Sequence, residues 1–109
     1  MKTIAMSVFG NRISSRLDVS EKLMVVRVEN HMVKNKETLL LNGKDTLKKL
    51  DTLVKLKPDV LICGGLTEFC KKKLSNKKIR VIPWVQGDTE HVLNLYLKGS
   101  LPEKNKLNI

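Results

Sequence analysis

The sequence has few cysteines and none of the long apolar runs that mark secreted or membrane proteins. Two cysteines among 109 residues cannot form the multi-disulfide framework of a small secreted domain, so we expect reduced thiols. No apolar run approaches the ~20 residues that a membrane-spanning helix needs, and the amino-terminal segment contains no convincing signal-peptide cleavage site. We therefore expect a cytoplasmic protein without a membrane partner.

The motifs of common catalytic sites are also missing from the sequence. It contains no dinucleotide fingerprint G-x-G-x-x-G, no P-loop G-x-x-x-x-G-K-[ST], no nucleophile elbow G-x-S-x-G and no H-E-x-x-H. The first predicted strand carries no acidic residue, which a metal-dependent nuclease on a mixed sheet would be expected to have. We therefore expect a protein that is not an enzyme.

Positive charge, by contrast, is abundant. The chain has 21 lysines and arginines against 11 acidic residues, which gives a formal net charge of +10. Such a charge favours an anionic partner, either nucleic acid or an anionic cofactor, although lysines on solvated helix faces would give the same sum. With one Trp, one Tyr and two Phe to stack on bases, a nucleic-acid-binding module is the weaker alternative. A regulatory interaction domain without a bound ligand is a third interpretation.

The apolar pattern predicts an α/β fold in one domain at 1–101, followed by a flexible tail at 102–109. The second and third predicted strands are joined by a tight turn, whereas the fourth and fifth are short, apolar and alternate with helices, as parallel strands do. We therefore predict a five-stranded mixed sheet of order 3-2-1-4-5, flanked by about three helices. The predicted strands are 2–8, 22–28, 32–37, 59–63 and 79–83, and the predicted helices are 45–57, 67–75 and 89–97.

Three loops are expected to meet at the carboxyl ends of the parallel strands, where ligands of open α/β sheets commonly bind. The first, 9–18, contains Arg12 and Arg16, whose guanidinium groups could bind an anion. The second and third, 63–65 and 86–88, each precede a helix whose amino terminus favours negative charge. Glycine also serves simple turns, so each signal alone is weak. The predicted cofactor-binding residues are Arg12, Ser14, Arg16, Cys63, Gly64, Gly65, Gly87 and Asp88.

Cys63 and His91 are the candidate metal ligands. Cys63 ends an apolar strand, where it is either a buried hydrophobic side chain or, if the glycine turn and helix amino terminus lower its pKa, a thiolate ligand for an iron–sulfur cluster. His91, in the first turn of the last helix, either binds metal or stays solvated. Cys70 is expected to pack in the core, because C-x6-C matches no strong metal-binding spacing. A complete cluster site would need His91, a dimer partner or a delivery protein.

Several short motifs occur in a characteristic order along the chain. They are V-F-G at 8–10, I-S-S-R-L-D at 13–18, V-L-I-C-G-G at 60–65, V-I-P at 81–83 and G-D at 87–88. Over about residues 2–101 they resemble the dinitrogenase iron-molybdenum cofactor biosynthesis domain, a family that includes NifX-like proteins and the carboxyl-terminal domain of some NifB proteins. In that family the first loop often reads S-P-R-F-D, whereas Ser15 and Leu17 replace the proline and the phenylalanine here.

The resemblance implies a ribonuclease-H-like fold and a role in holding or carrying an iron–sulfur or iron–molybdenum cofactor precursor. Its expected partners are cluster-delivery or acceptor proteins, and a homodimer is compatible with it. Such clusters are anionic, which fits arginines and helix amino termini. The leading hypothesis is therefore a non-enzymatic carrier that uses Arg12 and Arg16 for charge and Cys63, with His91, for metal.

Overall fold

The computed structural model of the protein describes residues 1–41, 45–99 and 101, and the predicted flexible tail at 102–109 lies outside them. Six strands and three helices are present in the described residues. In chain order these are β1 (Lys2–Phe9), β2 (Arg12–Ile13), β3 (Lys22–Glu29), β4 (Met32–Leu40), α1 (Thr46–Leu56), β5 (Val60–Ile62), α2 (Glu68–Asn76), β6 (Arg80–Ile82) and α3 (Thr89–Leu97). None of the described helices is long and apolar enough to cross a membrane.

The sheet is mixed, and its order β4-β3-β1-β5-β6 confirms the predicted order of the five main strands. β1 pairs antiparallel with β3 and parallel with β5, which in turn pairs parallel with β6. β3 and β4 form a hairpin whose turn residues, Asn30 and His31, both have positive φ, as hairpin turns that match the strand twist require. Because β1, β5 and β6 run in the same direction, their carboxyl ends lie along one edge of the sheet.

The prediction of five strands is wrong, because the first loop contains a sixth. After β1 the chain turns at Gly10, whose φ of +61° is readily adopted by glycine, and β2 returns antiparallel along β1. Phe9 lies opposite Arg12 in this pair. Two residues are too few to show the alternation that predicts a strand from sequence. As a result, Arg12 is held by the sheet rather than by a free loop.

Side chains of the central strands alternate between two cores, one on each face of the sheet. Ile4 and Met6 of β1 pack on the same face as Val92 of α3. The intervening side chains of β1 and β5 pack with Leu50 of α1 and Leu74 of α2 on the other face. Helices thus cover both faces at the centre of the sheet, which explains why its parallel strands are continuous apolar runs.

Candidate functional site

The first loop is bonded through its backbone to both of the turns predicted to meet it. Gly65 donates its N–H to the Ser15 carbonyl, and Leu17 donates to the Gly65 carbonyl, each at 2.8 Å. On the other side, Ile13 donates to the Gly87 carbonyl at 2.9 Å. The three predicted loops therefore meet at one edge of the sheet, and their expected convergence is confirmed.

The glycine turn after β5 exists because two backbones approach each other closely. A Cβ at Gly64 would collide with the carbonyl oxygens of Ser14 and Ser15, and a Cβ at Gly65 would lie 2.9 Å from the ring of Trp84. Because the Gly65 N–H already donates to Ser15, it is not free to bind an anion. The turn thus shapes the site more than it supplies hydrogen-bond donors.

A cavity of about 630 Å³ opens between the three loops. Its volume is within the range of about 300–1,000 Å³ that is usual for small-molecule sites. The predicted residues that line it are Arg12, Ser14, Gly64, Gly65 and Gly87. Arg16, Cys63, Asp88 and His91 do not line it. The described lining contains no His, Cys, Asp or Glu, so it offers neither a general acid–base pair nor a thiolate.

The two arginines of the first loop are placed differently. The Arg12 side chain is exposed at the cavity and, within the described part of the chain, has no hydrogen-bond or ion-pair partner. Arg16 instead donates from Nη2 to the Asp18 carboxylate at 2.7 Å. Arg12 is therefore the cation available to a ligand, whereas Arg16 is engaged by a neighbouring acid.

Of the two interpretations of Cys63, the structure agrees with a buried hydrophobic side chain, and the lowered pKa that the thiolate alternative requires is not found. The side chain is fully buried in the core on the α1 and α2 face. Burial, together with the charge of nearby Cys70, raises the pKa of Cys63 from 9.0 to about 12, because the thiolate is poorly solvated there. Cys70 is also buried, as its predicted packing role requires. Metal binding by Cys63 stays a prediction, and it would require the core to open and the thiol to ionise.

Asp88 and His91 belong to the start of α3 rather than to the cavity wall. The Asp88 carboxylate accepts hydrogen bonds from the N–H groups of Glu90 and His91, at 3.1 and 3.4 Å, so Asp88 is the N-cap of α3. The His91 side chain is exposed. In residues 1–41, 45–99 and 101, no three His, Cys, Asp or Glu side chains group as a metal site. Metal binding by His91 therefore stays a prediction.

Three exposed apolar side chains at the cavity were not predicted as site residues. Phe9, Val19 and Trp84 are 82%, 56% and 55% exposed and all line the cavity. Trp84 has a φ of +64°, which is rare for a bulky residue, and its N–H donates to the Gly64 carbonyl at 2.9 Å. The signal available in the sequence was the presence of large apolar residues in otherwise polar strand-end loops.

A larger cavity, of about 1030 Å³, lies at the opposite end of the sheet. Its wall includes the starts of β1, β5 and β6 at Lys2, Asp59 and Arg80, and the exposed hairpin residue His31. Ligands of open α/β sheets bind at the carboxyl ends of the strands, not at this end. We therefore assign the functional site to the smaller cavity.

Comparison with known proteins supports the fold. No family model matches the sequence, and no curated protein matches it. A candidate dinitrogenase from Methanocaldococcus jannaschii superposes with a TM-score of 0.77 at 25% identity, covering 93% of this chain and 92% of that one. A candidate NifB protein from Thermotoga, of the DUF35 family, has a TM-score of 0.74 at 19% identity, covering 94% and 93%. The apo form of the orange protein from Desulfovibrio gigas has a TM-score of 0.74 at 18% identity, covering 94% and 92%.

These similarities extend over nearly the whole length of both chains in each pair, at low sequence identity. They concern the arrangement of strands and helices. The chain therefore shares a mixed α/β fold with proteins named as a dinitrogenase, a NifB protein and the orange protein.

Proposed function

We propose that this protein is a non-enzymatic carrier that binds an anionic iron–sulfur or iron–molybdenum cofactor precursor in the cavity between its three strand-end loops. The observation that carries this proposal is the Arg12 guanidinium, which has no partner within the described residues and lies on the wall of a cavity of about 630 Å³. The cavity lies at the carboxyl ends of parallel strands, the usual ligand position in open α/β sheets.

The size and lining of the cavity favour a multi-atom anion. Its volume is about twenty times the ~30 Å³ that one water molecule occupies, so a single inorganic ion would leave most of it empty. Phe9, Val19 and Trp84 give the cavity exposed apolar surface that a bound ligand would cover, and an interaction between a guanidinium and an anion is stronger where the ligand displaces water. Metal sulfide clusters are negatively charged and have polarisable surfaces that suit apolar walls.

The contacts that we assign to the ligand come from the cavity wall. Arg12 supplies the positive charge. The Ser14 hydroxyl is buried and already donates to the Arg16 carbonyl at 3.0 Å, so of the two serines in the wall we assign the exposed Ser15 as the donor. Binding through Arg12 and Ser15 requires no ionised thiol, and the raised pKa of Cys63 counts against a thiolate bond in the closed structure.

We further propose that the chain belongs to the dinitrogenase iron-molybdenum cofactor biosynthesis family, with a ribonuclease-H-like motif. The motifs of its strand-end loops support this, together with its similarity in fold to a candidate dinitrogenase and a candidate NifB protein. A carrier must receive its ligand and release it again. Its partners would be cluster-delivery and acceptor proteins in the cytoplasm.

Binding of tetrathiomolybdate, a dianion with sulfide ligands, tests the proposed site. The chain contains one tryptophan, Trp84, at the cavity, so quenching of its fluorescence reports local binding, and calorimetry gives the affinity. We expect Arg12→Gln to weaken binding at least tenfold, because a charge-assisted hydrogen bond is worth about 1.5–3 kcal/mol and each ~1.4 kcal/mol is tenfold.

Lys72→Gln is the matched control, since Lys72 is exposed on α2 and the substitution removes the same charge. We expect it to change the affinity by less than about twofold, because exposed charges beyond a Debye length of ~8 Å are screened. Equal losses for the two variants would show binding by net charge alone and would contradict a specific site. Absence of binding to the unmodified protein would contradict the proposed ligand class.

A further inference from the structure

The ion pair between Arg16 and Asp18 lies beside the cavity without entering it. The two side chains are 59% and 21% exposed, and the nitrogen–oxygen distance is 2.7 Å. Arg16 is nevertheless next to the wall, because the preceding residue, Ser15, lines the cavity and Arg16 is bridged to Gly65, which also lines it. A second guanidinium group thus lies close to the cavity and is paired with an acid.

The Asp18 carboxylate is only half satisfied. One oxygen, Oδ2, accepts from Arg16, whereas the other, Oδ1, is buried and has no hydrogen-bond partner among residues 1–41, 45–99 and 101. A buried carboxylate oxygen without a donor is unfavourable and calls for an explanation. The arrangement of Asp18 is therefore not explained by its pairing with Arg16 alone.

A buried ammonium group contacts the same residue from the other side. Lys49 of α1 is 5% exposed, and its Nζ donates to the Asp18 backbone carbonyl at 2.9 Å. Within the described residues this is the one hydrogen bond of the Lys49 side chain, although an ammonium group has three protons to donate. In the same part of the chain, Asp18 thus has a carboxylate oxygen without a donor, and the ammonium group beside its backbone has protons without acceptors.

We propose that Asp18 pairs with Arg16 while the cavity holds no anion, and that a bound anion takes the place of Asp18 as the partner of Arg16. Lys49 then neutralises the Asp18 carboxylate. This inference rests on the proposed function, because it concerns the same anion site. Asp18 and Lys49 act as positioning residues, and Arg16 becomes a second ligand contact. The exchange is easy because an exposed ion pair contributes little to stability, whereas a guanidinium can bind a dianion through two hydrogen bonds.

Lys49 has a specific part in this exchange. Once Arg16 has left, the Asp18 carboxylate is a negative charge near an anionic ligand, which would weaken binding by repulsion. The Lys49 ammonium group donates to the Asp18 backbone carbonyl and, within the described residues, forms no ion pair with the carboxylate. In the exchange its side chain moves, without a change in backbone, to neutralise the carboxylate that Arg16 leaves. The same residue therefore anchors the loop in the empty protein and compensates Asp18 in the loaded one.

A double-mutant cycle with tetrathiomolybdate as the probe tests the exchange. We expect Arg16→Gln to weaken binding about fivefold, and Asp18→Asn to strengthen it about fivefold by freeing Arg16. In the Arg16→Gln background, Asp18→Asn should change the affinity by less than twofold, because there is no arginine to release. An equal effect of Asp18→Asn in both backgrounds would overturn the proposal, since it would reflect only the loss of a negative charge.

Lys49→Met and Lys49→Arg test the compensating role. We expect Lys49→Met to weaken binding about fivefold in the unmodified background and less than twofold when Asp18 is already Asn, and we expect Lys49→Arg to retain most of the affinity. Similar losses in both backgrounds would show a merely structural role for Lys49 and overturn this part. If Lys49→Met does not fold, as judged by circular dichroism, Lys49→Gln replaces it as the variant without the charge. Its affinity is then compared with that of Lys49→Arg, which keeps the charge, in both backgrounds.

Failure of the exchange and failure of the proposed function give different results. Binding that depends on Arg12 but shows no coupling between Arg16 and Asp18 retains the carrier function and overturns the exchange. If the unmodified protein does not bind the probe but Asp18→Asn binds it through Arg16, the result supports the exchange, because it shows that the ion pair with Asp18 prevents Arg16 from binding the probe. If neither binds, both proposals are overturned.

Discussion

Cys63 and Gly64 are adjacent in the chain, yet the structure uses them for unrelated purposes. The Cys63 side chain, directly after β5, packs in the core on the α1 and α2 face, whereas the next residue, Gly64, lines the cavity. A strand that leaves the core for the site makes this change within one peptide unit, because successive side chains point to opposite sides. Residue type alone does not show on which side of that boundary a cysteine lies.

The burial of Cys63 predicts a low reactivity of its thiol in the folded protein. With a pKa of about 12 instead of 9.0, its thiolate fraction at pH 8 is roughly a thousandfold smaller than that of an unperturbed thiol. We expect no alkylation of Cys63 in the folded protein at pH 8 by iodoacetamide, and rapid alkylation in denaturing urea, both followed by mass spectrometry. Fast labelling in the folded state would contradict this and would revive Cys63 as a thiolate ligand.

The same pKa shift has a consequence for stability. Because the pKa of Cys63 is higher in the folded than in the unfolded chain, its neutral form stabilises the fold fully below about pH 9, and this contribution is lost as the pH rises toward 12. Metal binding through the thiolate would have to overcome the same preference for the neutral form.

Gly64 and Gly65 provide a contrast in how glycine substitutions act. We expect Gly64→Ala to lower the free energy of unfolding by about 1–3 kcal/mol, because its Cβ would overlap the backbone carbonyls of Ser14 and Ser15. Gly65→Ala should lower it less, since its Cβ would meet the ring of Trp84, a half-exposed side chain that can move. Urea denaturation measures both; an unchanged stability of Gly64→Ala would contradict the observed close approach.

At the scale of elements, helix starts and hairpin turns were predictable because their signals are local. Asp45, Thr67 and Asp88 each cap the helix that follows by accepting a backbone N–H, as their side chains favour. The helices predicted at 45–57 and 89–97 occur as α1 and α3. The two-residue strand β2 escaped prediction because its pairing with β1 is set by the turn at Gly10, not by a pattern of its own.

The caps of α3 and α1 allow a matched test of what Asp88 does. We expect Asp88→Ala and Asp45→Ala each to destabilise the protein by about 1 kcal/mol in thermal or urea denaturation, the usual effect of losing an N-cap. We expect Asp88→Ala to leave the affinity for tetrathiomolybdate unchanged or higher, because it removes a negative charge and frees two N–H groups. A clear loss of affinity in Asp88→Ala but not in Asp45→Ala would instead support Asp88 as a binding residue.

At the scale of the whole molecule, the net charge of +10 permits two kinds of anionic partner that differ in their response to salt. A nucleic acid that contacts many lysines loses about 10³–10⁵ in affinity between 50 and 200 mM salt when 6–10 phosphates are contacted. A dianion held by Arg12 in a partly apolar cavity neutralises far fewer charges.

We therefore expect the affinity for tetrathiomolybdate to fall by less than tenfold between 50 and 200 mM salt, in calorimetric titrations at each concentration. Arg12→Gln should reduce this dependence further, and a single-stranded oligonucleotide serves as the comparison under the same conditions. Tight oligonucleotide binding with a steep salt dependence, together with weak binding of tetrathiomolybdate, would favour the nucleic-acid-binding alternative.

The sequence by itself determined the α/β class, the order of the five main strands and the three loops of the site. Those features depend on apolar periodicity, caps and turn residues, which act over a few neighbouring positions. Tertiary structure alone decided that Arg12 faces the cavity while Arg16 pairs with Asp18, that Cys63 is buried, and that a tryptophan borders the site. The reason is physical: burial, pairing and the pKa of a side chain depend on the segments packed against it, which lie far away in the chain.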